Sequence, residues 1–249
     1  MARLRPGDLW RMALRASLLQ ATWNYERQQG VGWAFGLQPA LKRLYPDRAE
    51  RCDRLAEHTA YFNTQPTLAS LALGAVAALE EQRAAGGGPD AAGMARVKSA
   101  LGSSLAALGD RMFWFTLRPF AACLGILLAP AGLARGALAL WLCYNAFHQG
   151  VRFAGLGWGY REGPAVLDER LRGRLDRLIR LFGMGGAMLI GVLVATLLVP
   201  GGEPRPIVFQ ATLAAGLGLG FVAAQRPRPS PTQWALGVGA LCVAAAWLH

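Results

Sequence analysis

Residues 57–74 read "EHTAYFNTQPTLASLALG". The stretch begins as a polar helix and ends as an apolar one. Asn63, Thr64, Gln65 and Pro66 stand where the character changes. Proline disfavours helical backbone at the residue before it and removes a donor, so a break is expected here. The apolar run that follows, residues 67–79, stops at Glu80 and Glu81. A bilayer-spanning helix needs ~20 such residues, and a run of about 10–14 reads as a buried or re-entrant segment. The break therefore separates an interfacial polar helix from a short apolar one.

The rest of the chain is read against that division. Of 249 residues 53% are hydrophobic and only 16% charged, against ~25% charged in a soluble domain. This composition points to a membrane protein. The formal net charge is +11. Nucleic-acid binding would need basic residues interleaved with aromatics on a polar surface. Here the arginines flank apolar runs, as they do in cytoplasmic loops of membrane proteins. No nucleic-acid partner is expected. Cys52, Cys123, Cys143 and Cys242 show no C-x-x-C pairing and read as small buried hydrophobes. His58, His148 and His249 lack ligand spacing, so neither metal nor cofactor is expected. The N-terminus lacks the continuous apolar core of a cleavable signal peptide.

Residues 7–29 are expected to start a helix at Leu9, capped by Asp8. Its apolar face, with Leu9, Ala13, Ala16 and Leu18, opposes Arg11 and Arg15. Two readings stand: an interfacial helix with arginines toward anionic headgroups, or a surface helix packed on its own protein. Gly30, Gly32 and Gly36 then break any long helix, and Tyr45-Pro46 marks a turn. A polar helix over 47–62 carries Leu55, His58 and Phe62 at helical spacing. "RAAGGGPDAAG" (83–93) is a linker by composition. Two short apolar pieces, 120–129 and 133–147, are broken at Pro130 and Gly132. Interrupted helices of this kind bring backbone and polar side chains to the midplane of transporters.

Residues 151–180 hold seven arginines against four acids, which assigns the segment to the cytoplasm. Leu167, Leu171, Leu175 and Leu178 form one stripe, with Asp168–Arg172 and Asp176–Arg180 as i,i+4 pairs. Three spans, 181–199, 207–224 and 233–248, close the chain. A cytoplasmic loop at Arg226 and Arg228 then leaves the C-terminus outside. The fold class is an all-α integral membrane protein: interfacial amphipathic helices, interrupted or re-entrant apolar helices and about three C-terminal transmembrane helices. Residues 1–163 form a core region, and 164–249 add the amphipathic helix and the C-terminal spans.

Candidate binding residues follow from the chemistry of polar ligands. A hydroxyl-bearing ligand is recognised by amides and carboxylates as paired hydrogen-bond partners and by an aromatic plate. Asn63, Thr64 and Gln65 fit that demand at the break. Asp110, Trp114 and Arg118 share one face at four-residue spacing if a helix runs through them. An intramembrane aspartate is costly and is a site candidate by default. The structural alternatives are an Asp110 ion pair with Arg111 or Arg118, and an Asn63–Thr64 helix cap. Leu108-Gly109-Asp110 also suits an intramembrane aspartyl protease, but no second aspartate lies in an apolar run to share its proton. No triad, phosphate loop or metal motif argues for an enzyme.

Four blocks carry a family resemblance. They are "LLQATWNYERQQGVGWAFGLQPALKRLYP" (18–46), "HTAYFNTQP" with "ALEEQ" (58–66 and 78–82), "LAALGDRMFWFTLRPF" (105–120) and "GWGYREG" (157–163). In this order, over about residues 11–163, they resemble the IID subunits of the mannose/fructose/sorbose class of bacterial phosphotransferase systems. The chain departs from that pattern at Ser103-Ser104 in place of Gly-Pro, Arg111 in place of Ser and Phe115 in place of Gly. The resemblance implies a multi-pass subunit in the bacterial inner membrane. With a IIC subunit it would form the translocation path for a mannose-type hexose or related sugar. It further implies pseudo-symmetric IIC and IID subunits, three of each, and an elevator-type movement. Soluble IIA and IIB proteins would carry the phosphoryl group, and this chain would not be an enzyme itself. Trp23, Asn24, Tyr25 and Glu26 fall in the first block and are expected at a subunit interface. The departures at Arg111 and Phe115 leave one alternative: a IID-derived membrane partner or regulator that no longer transports sugar.

Overall fold

The computed structural model describes residues 3–197 and 207–225. The third C-terminal span, Arg226, Arg228, Cys242 and His249 lie outside the described residues. The described residues form helices joined by turns and irregular loops, with isolated bridges at Asn24–Gln28 and Gln28–Phe62. The helices are α1 (Pro6–Ala16), α2 (Gly30–Leu44), α3 (Arg48–His58), α4 (Ala69–Ala84), α5 (Ala91–Gly109), α6 (Arg118–Leu128), α7 (Leu133–Glu162), α8 (Glu169–Leu197) and α9 (Ile207–Ala224). A π-helical stretch, Asp110–Leu117, joins α5 to α6 without a break. Two of these helical runs, Ala91–Leu128 and Glu169–Val194, are long and apolar enough to cross a membrane.

The chain folds as two compact units. One takes the described residues up to Phe115 together with Trp141–Leu178; the other takes Thr116–Leu140 and the described residues from Ile179 onward. At the centre of the first unit lies α4. Its residues 69–77 are all buried, so the apolar run after Pro66 is a core helix packed by α1, α2 and α5. The segment entering α4 is shaped by Gln65. Its Oε1 accepts from the N–H groups of Thr67 (2.8 Å) and Leu68 (3.0 Å), satisfying donors that a helix start leaves open. The capping role expected of Asn63 and Thr64 thus falls to Gln65.

Helix α1 differs from expectation in two ways. It ends at Ala16, and Asp8 stands inside its first turn, accepting from the Arg5 N–H (3.1 Å). Met12, Ala13 and Ala16 are buried against the protein, where α1 packs on α2, while Trp10, Leu14 and Leu18 remain exposed. Helix α2 contains Pro39, which cannot donate to the Phe35 carbonyl. Arg15 on α1 supplies that bond through Nη1 (3.3 Å). Helix α3 is capped by Asp47 and stops at His58, so Phe62 lies beyond it, paired through its backbone with Arg27 and Gln29.

The apolar pieces expected as two short fragments belong to longer helices. The first is the end of the run from Ala91 to Leu128; the second opens α7, 30 residues long. The break at Pro130 and Gly132 is present, with Gly132 at φ 130°. Pro119 explains the π-helical stretch before it. Its ring would press on the carbonyl four residues back, and a wider turn relieves the clash. The predicted linker is reduced to a short loop, because Asp90 caps α5 (Gly93 N–H to Oδ1, 2.7 Å).

In helix α8 the amphipathic segment and the first C-terminal span are one rod. Of the expected stripe, Leu171 and Leu175 are buried and pack on protein, while Leu167 and Leu178 are half-buried. Asp168 accepts from the Leu171 N–H (3.0 Å), and Asp176 lies 3.4 Å from Arg111. These contacts replace the expected pairs with Arg172 and Arg180. In the second unit α9 runs over the expected 207–224. The Phe221 ring covers Gly183, and Phe120 packs edge-on against Phe182 (5.2 Å). Of the described cysteines Cys123 is buried, Cys143 is half-buried, and Cys52 is exposed, contrary to expectation.

Candidate functional site

Between the end of α3, the 59–63 loop and α5 lies a half-open cavity of about 310 Å³. Glu57, His58, Tyr61, Asn63, Lys98, Ser99 and Ser103 supply its polar lining. Asn63 is exposed, and its side-chain amide makes no hydrogen bond among the described residues. The sites expected beside it are used differently. Thr64 is buried, its backbone exchanging two hydrogen bonds with the Gln29 amide (2.7 and 3.0 Å). Gln65 is buried in its capping role. Asp110 is half-buried at the start of the π-helical stretch, where Gly109 packs against the Gln65 side chain. Trp114 and Arg118 are exposed. Of the six candidates only Asn63 lines the cavity. The π-helical backbone changes the four-residue register that placed Asp110, Trp114 and Arg118 on one face.

Below the cavity floor is a polar cluster that the sequence reading missed. Glu80 is fully buried and accepts from the Tyr45 hydroxyl (2.7 Å), with His58 Nε2 at 3.1 Å and Arg83 Nη1 at 3.5 Å. The Trp33 indole N–H donates to His58 Nδ1 (3.4 Å). That bond makes Nδ1 the acceptor, so Nε2 carries the proton and donates to Glu80. Lys98, only 4% exposed, donates to the His58 carbonyl (3.3 Å) and sits over the Trp33 ring. Arg83 also clamps Glu57 (2.7 Å), which Arg54 pairs from the other side (2.7 Å).

Electrostatics follow from this geometry. Burial pushes the His58 pKa down, and Lys98 adds to this, against the opposing pull of Glu80 and Glu57. Burial alone would keep Glu80 protonated, but His58, Tyr45 and Arg83 outweigh it and hold the carboxyl below its ordinary value. Burial, with Glu80 beside it, pushes the Tyr45 phenol well up. The cluster is a neutral imidazole bonded to a carboxylate. Because the unfolded chain takes up a proton on His58 near its ordinary pKa of ~6.5 and the folded chain resists it, stability holds above that pH and falls below it. The expected slope is at most about 1.4 kcal/mol per pH unit. Thermal melts across this range check it, and His58→Gln should flatten them.

A second feature projects from the 20–29 segment. Asn24 Oδ1 accepts from the Arg27 N–H (2.8 Å), and Gln28 adopts φ 53°, closing a tight loop. Trp23 and Tyr25 meet edge-on at 4.8 Å on its outside, Tyr25 being 89% exposed, with Glu26 also exposed.

Residues 3–200 match the family model of the phosphotransferase-system mannose/fructose/sorbose family IID component. The chain is 36% identical to the mannose-specific EIID component of Escherichia coli (strain K12) over 193 residues, 77% of this chain and 68% of that protein. It is 36% identical to the sorbose-specific EIID component of Klebsiella pneumoniae, covering 77% and 70%. Among solved structures it is similar to a chain of the mannose transporter ManYZ in complex with microcin E492 (TM-score 0.63, 28% identity, 100% of this chain and 98% of that one).

Proposed function

The chain belongs to the mannose/fructose/sorbose family of phosphotransferase-system IID components, and from that premise we propose that it pairs with a IIC subunit to form a sugar translocation path. The path would lie in the bacterial inner membrane, and a mannose-type hexose or related sugar would be its cargo. The chain itself is a membrane transporter subunit. In this reading IIA and IIB proteins carry the phosphoryl group, and IIB delivers it to the entering sugar. The chain holds and guides, and it performs no phosphoryl transfer.

The observation that carries the reading is the family match over residues 3–200, which spans both the cavity and the Trp23–Tyr25 loop. The loop presents rigid, exposed aromatics of the kind enriched at protein interfaces. It is the proposed contact with IIC. The cavity is of sugar size and offers an amide, a carboxylate, an ammonium and hydroxyls, the groups that bind a polyol. Asn63 is its proposed ligand. Asp110 and Trp114 are proposed to line the path at the π-helical stretch, a backbone form frequent at functional sites. Thr64 and Gln65 shape the entrance without touching sugar.

The rival reading, a IID-derived regulator without transport, rested on Arg111 and Phe115. Arg111 reaches Asp176 at 3.4 Å and Phe115 is 78% exposed, which favours the transporting form. Arg111→Ser should therefore leave sugar binding unchanged. Asn63→Ala and Asp110→Asn should each weaken binding about 5- to 150-fold, the range for one lost hydrogen bond, while the complex still assembles. Uptake of radiolabelled sugar into cells that express IIA, IIB and IIC, with and without this chain, tests the function. Uptake is expected only with the chain, and equal uptake without it would overturn the proposal.

A further inference from the structure

On the first unit, away from the cavity, α1 and α2 enclose a cleft of about 400 Å³ lined by Asp8, Arg11, Arg15, Pro39, Lys42 and Arg43. Four cations face one carboxylate. That carboxylate is already committed: Asp8 is buried, accepts the Arg5 N–H and pairs with Arg43 (3.1 Å). Arg15 is held in place by Gln38 Oε1 (2.6 Å), by the Phe35 carbonyl that Pro39 leaves open, and by the Phe35 ring beneath it. Arg11 and Lys42 have no carboxylate within ion-pair distance among the described residues. Two fixed and two uncommitted cations thus surround one cleft, with a net positive charge.

Exposed cations usually form a solvated face, but the surface beside this cleft is not polar. Trp10 and Leu14 are 57% and 47% exposed, four residues apart on α1, with the Trp10 ring stacked on Phe153 (5.1 Å), and Leu18, 55% exposed, follows in the turn past the helix end. Leu14 follows Arg11 by three residues on α1, so the apolar strip borders the cationic one directly. A free anion gains nothing from that strip. A molecule with an anionic phosphate and acyl chains uses both.

We propose that this cleft binds the phosphate headgroup of an anionic phospholipid of the bilayer, whose chains lie along Trp10, Leu14 and Leu18. The proposal rests on the reading of the chain as a membrane subunit. It goes beyond an amphipathic helix lying on lipid, because it assigns a headgroup site built jointly by two helices. Basic residues at a membrane surface each contribute about 1 kcal/mol toward anionic lipid. Removing Arg11 and Lys42 together is therefore expected to weaken binding about 30-fold.

The test is a titration of phosphatidylglycerol, against phosphatidylcholine, into the full chain in detergent, alone or with the IIC subunit that accompanies it. Bound lipid is counted by native mass spectrometry. Wild type should prefer phosphatidylglycerol. The double variant Arg11→Gln/Lys42→Gln should lose the preference about 30-fold, and Arg11→Lys/Lys42→Arg should keep it, which separates charge from misfolding. Trp10→Ser/Leu14→Ser should weaken both lipids. Equal phosphatidylglycerol binding by wild type and the Gln variant overturns the proposal. So does full displacement by inorganic phosphate at equal concentration, which would mark a free-anion site. Binding of phosphorylated IIB that disappears in the Gln variant, with lipid binding unchanged, would make the cleft a protein dock and also overturn it. Flotation of the chain with phosphatidylcholine vesicles reads membrane association separately. Flotation without headgroup preference defeats the cleft alone, and failure to float defeats the membrane reading with it.

Discussion

Replacing Glu80 by alanine is expected to cost about 3–5 kcal/mol, the range for breaking a buried charged pair. The side chain is fully buried and is the acceptor for the Tyr45 hydroxyl, the His58 Nε2–H and Arg83. Truncation strands the Tyr45 and His58 donors at once, while Arg83 keeps its bond to Glu57. The melting temperature should fall by roughly 6–20 °C. Glu80→Gln keeps an acceptor but loses the charge, so it should fall between wild type and Glu80→Ala. Thermal melts of the purified chain in detergent check both. A shift of under ~1 °C in Glu80→Ala would mean that the Tyr45 and His58 donors find other partners.

The second large effect is expected where α4 meets α7. A Cβ on Gly74 would run into the Leu156 carbonyl oxygen and lie 2.6 Å from the Tyr160 nitrogen. From the other side, a Cβ on Gly159 would strike the Leu71 carbonyl oxygen. These obstacles are backbone, so no side-chain rotation relieves them. Small residues at such contacts let helices approach closely. Gly159→Leu should cost about 3 kcal/mol, the upper part of the ordinary overpacking range. Gly157→Leu is the control, because nothing lies within 4 Å of its Cβ position. Proteolysis of the two variants in detergent should cut Gly159→Leu much faster. Equal cleavage would mean that the two helices separate at little cost.

How much of this was legible depends on the range of each interaction. The helical class, the break at 63–66, the break at Pro130 and Gly132 and the bounds of α9 are local. They follow from proline, glycine and hydropathy within a few residues. The length of the run after Pro66 excluded a full span and left buried and re-entrant readings open, and the structure buries it. The polar cluster was not. Tyr45 and Glu80 are 35 residues apart, as are Gln29 and Thr64, and His58 and Glu80 are separated by 22. No periodicity links such pairs. Glu80 read as the polar end of an apolar run, and His58 as one position of a helical stripe. The first signal of a buried role was the ending of that run in a carboxylate.

The surroundings of the candidate site residues were hidden in a similar way. The break itself uses Gln65, because a chain that turns into a buried helix needs caps for its free N–H groups, whereas Thr64 is held by its backbone and its buried hydroxyl has no hydrogen-bond partner among the described residues. Only Asn63, facing outward, keeps its amide for another molecule. The face shared by Asp110, Trp114 and Arg118 assumed α-helical turns, and Pro119 signalled the wider turn that the structure adopts.

The central claim is that the chain works as a IID subunit beside IIC. Affinity purification of the tagged chain from its own membranes in mild detergent tests this most directly. The account predicts that a IIC-type membrane protein co-purifies in a stable complex, and that Trp23→Ala/Tyr25→Ala weakens it without unfolding the chain. A folded, monodisperse chain that emerges alone and shows no affinity for such a partner would contradict it.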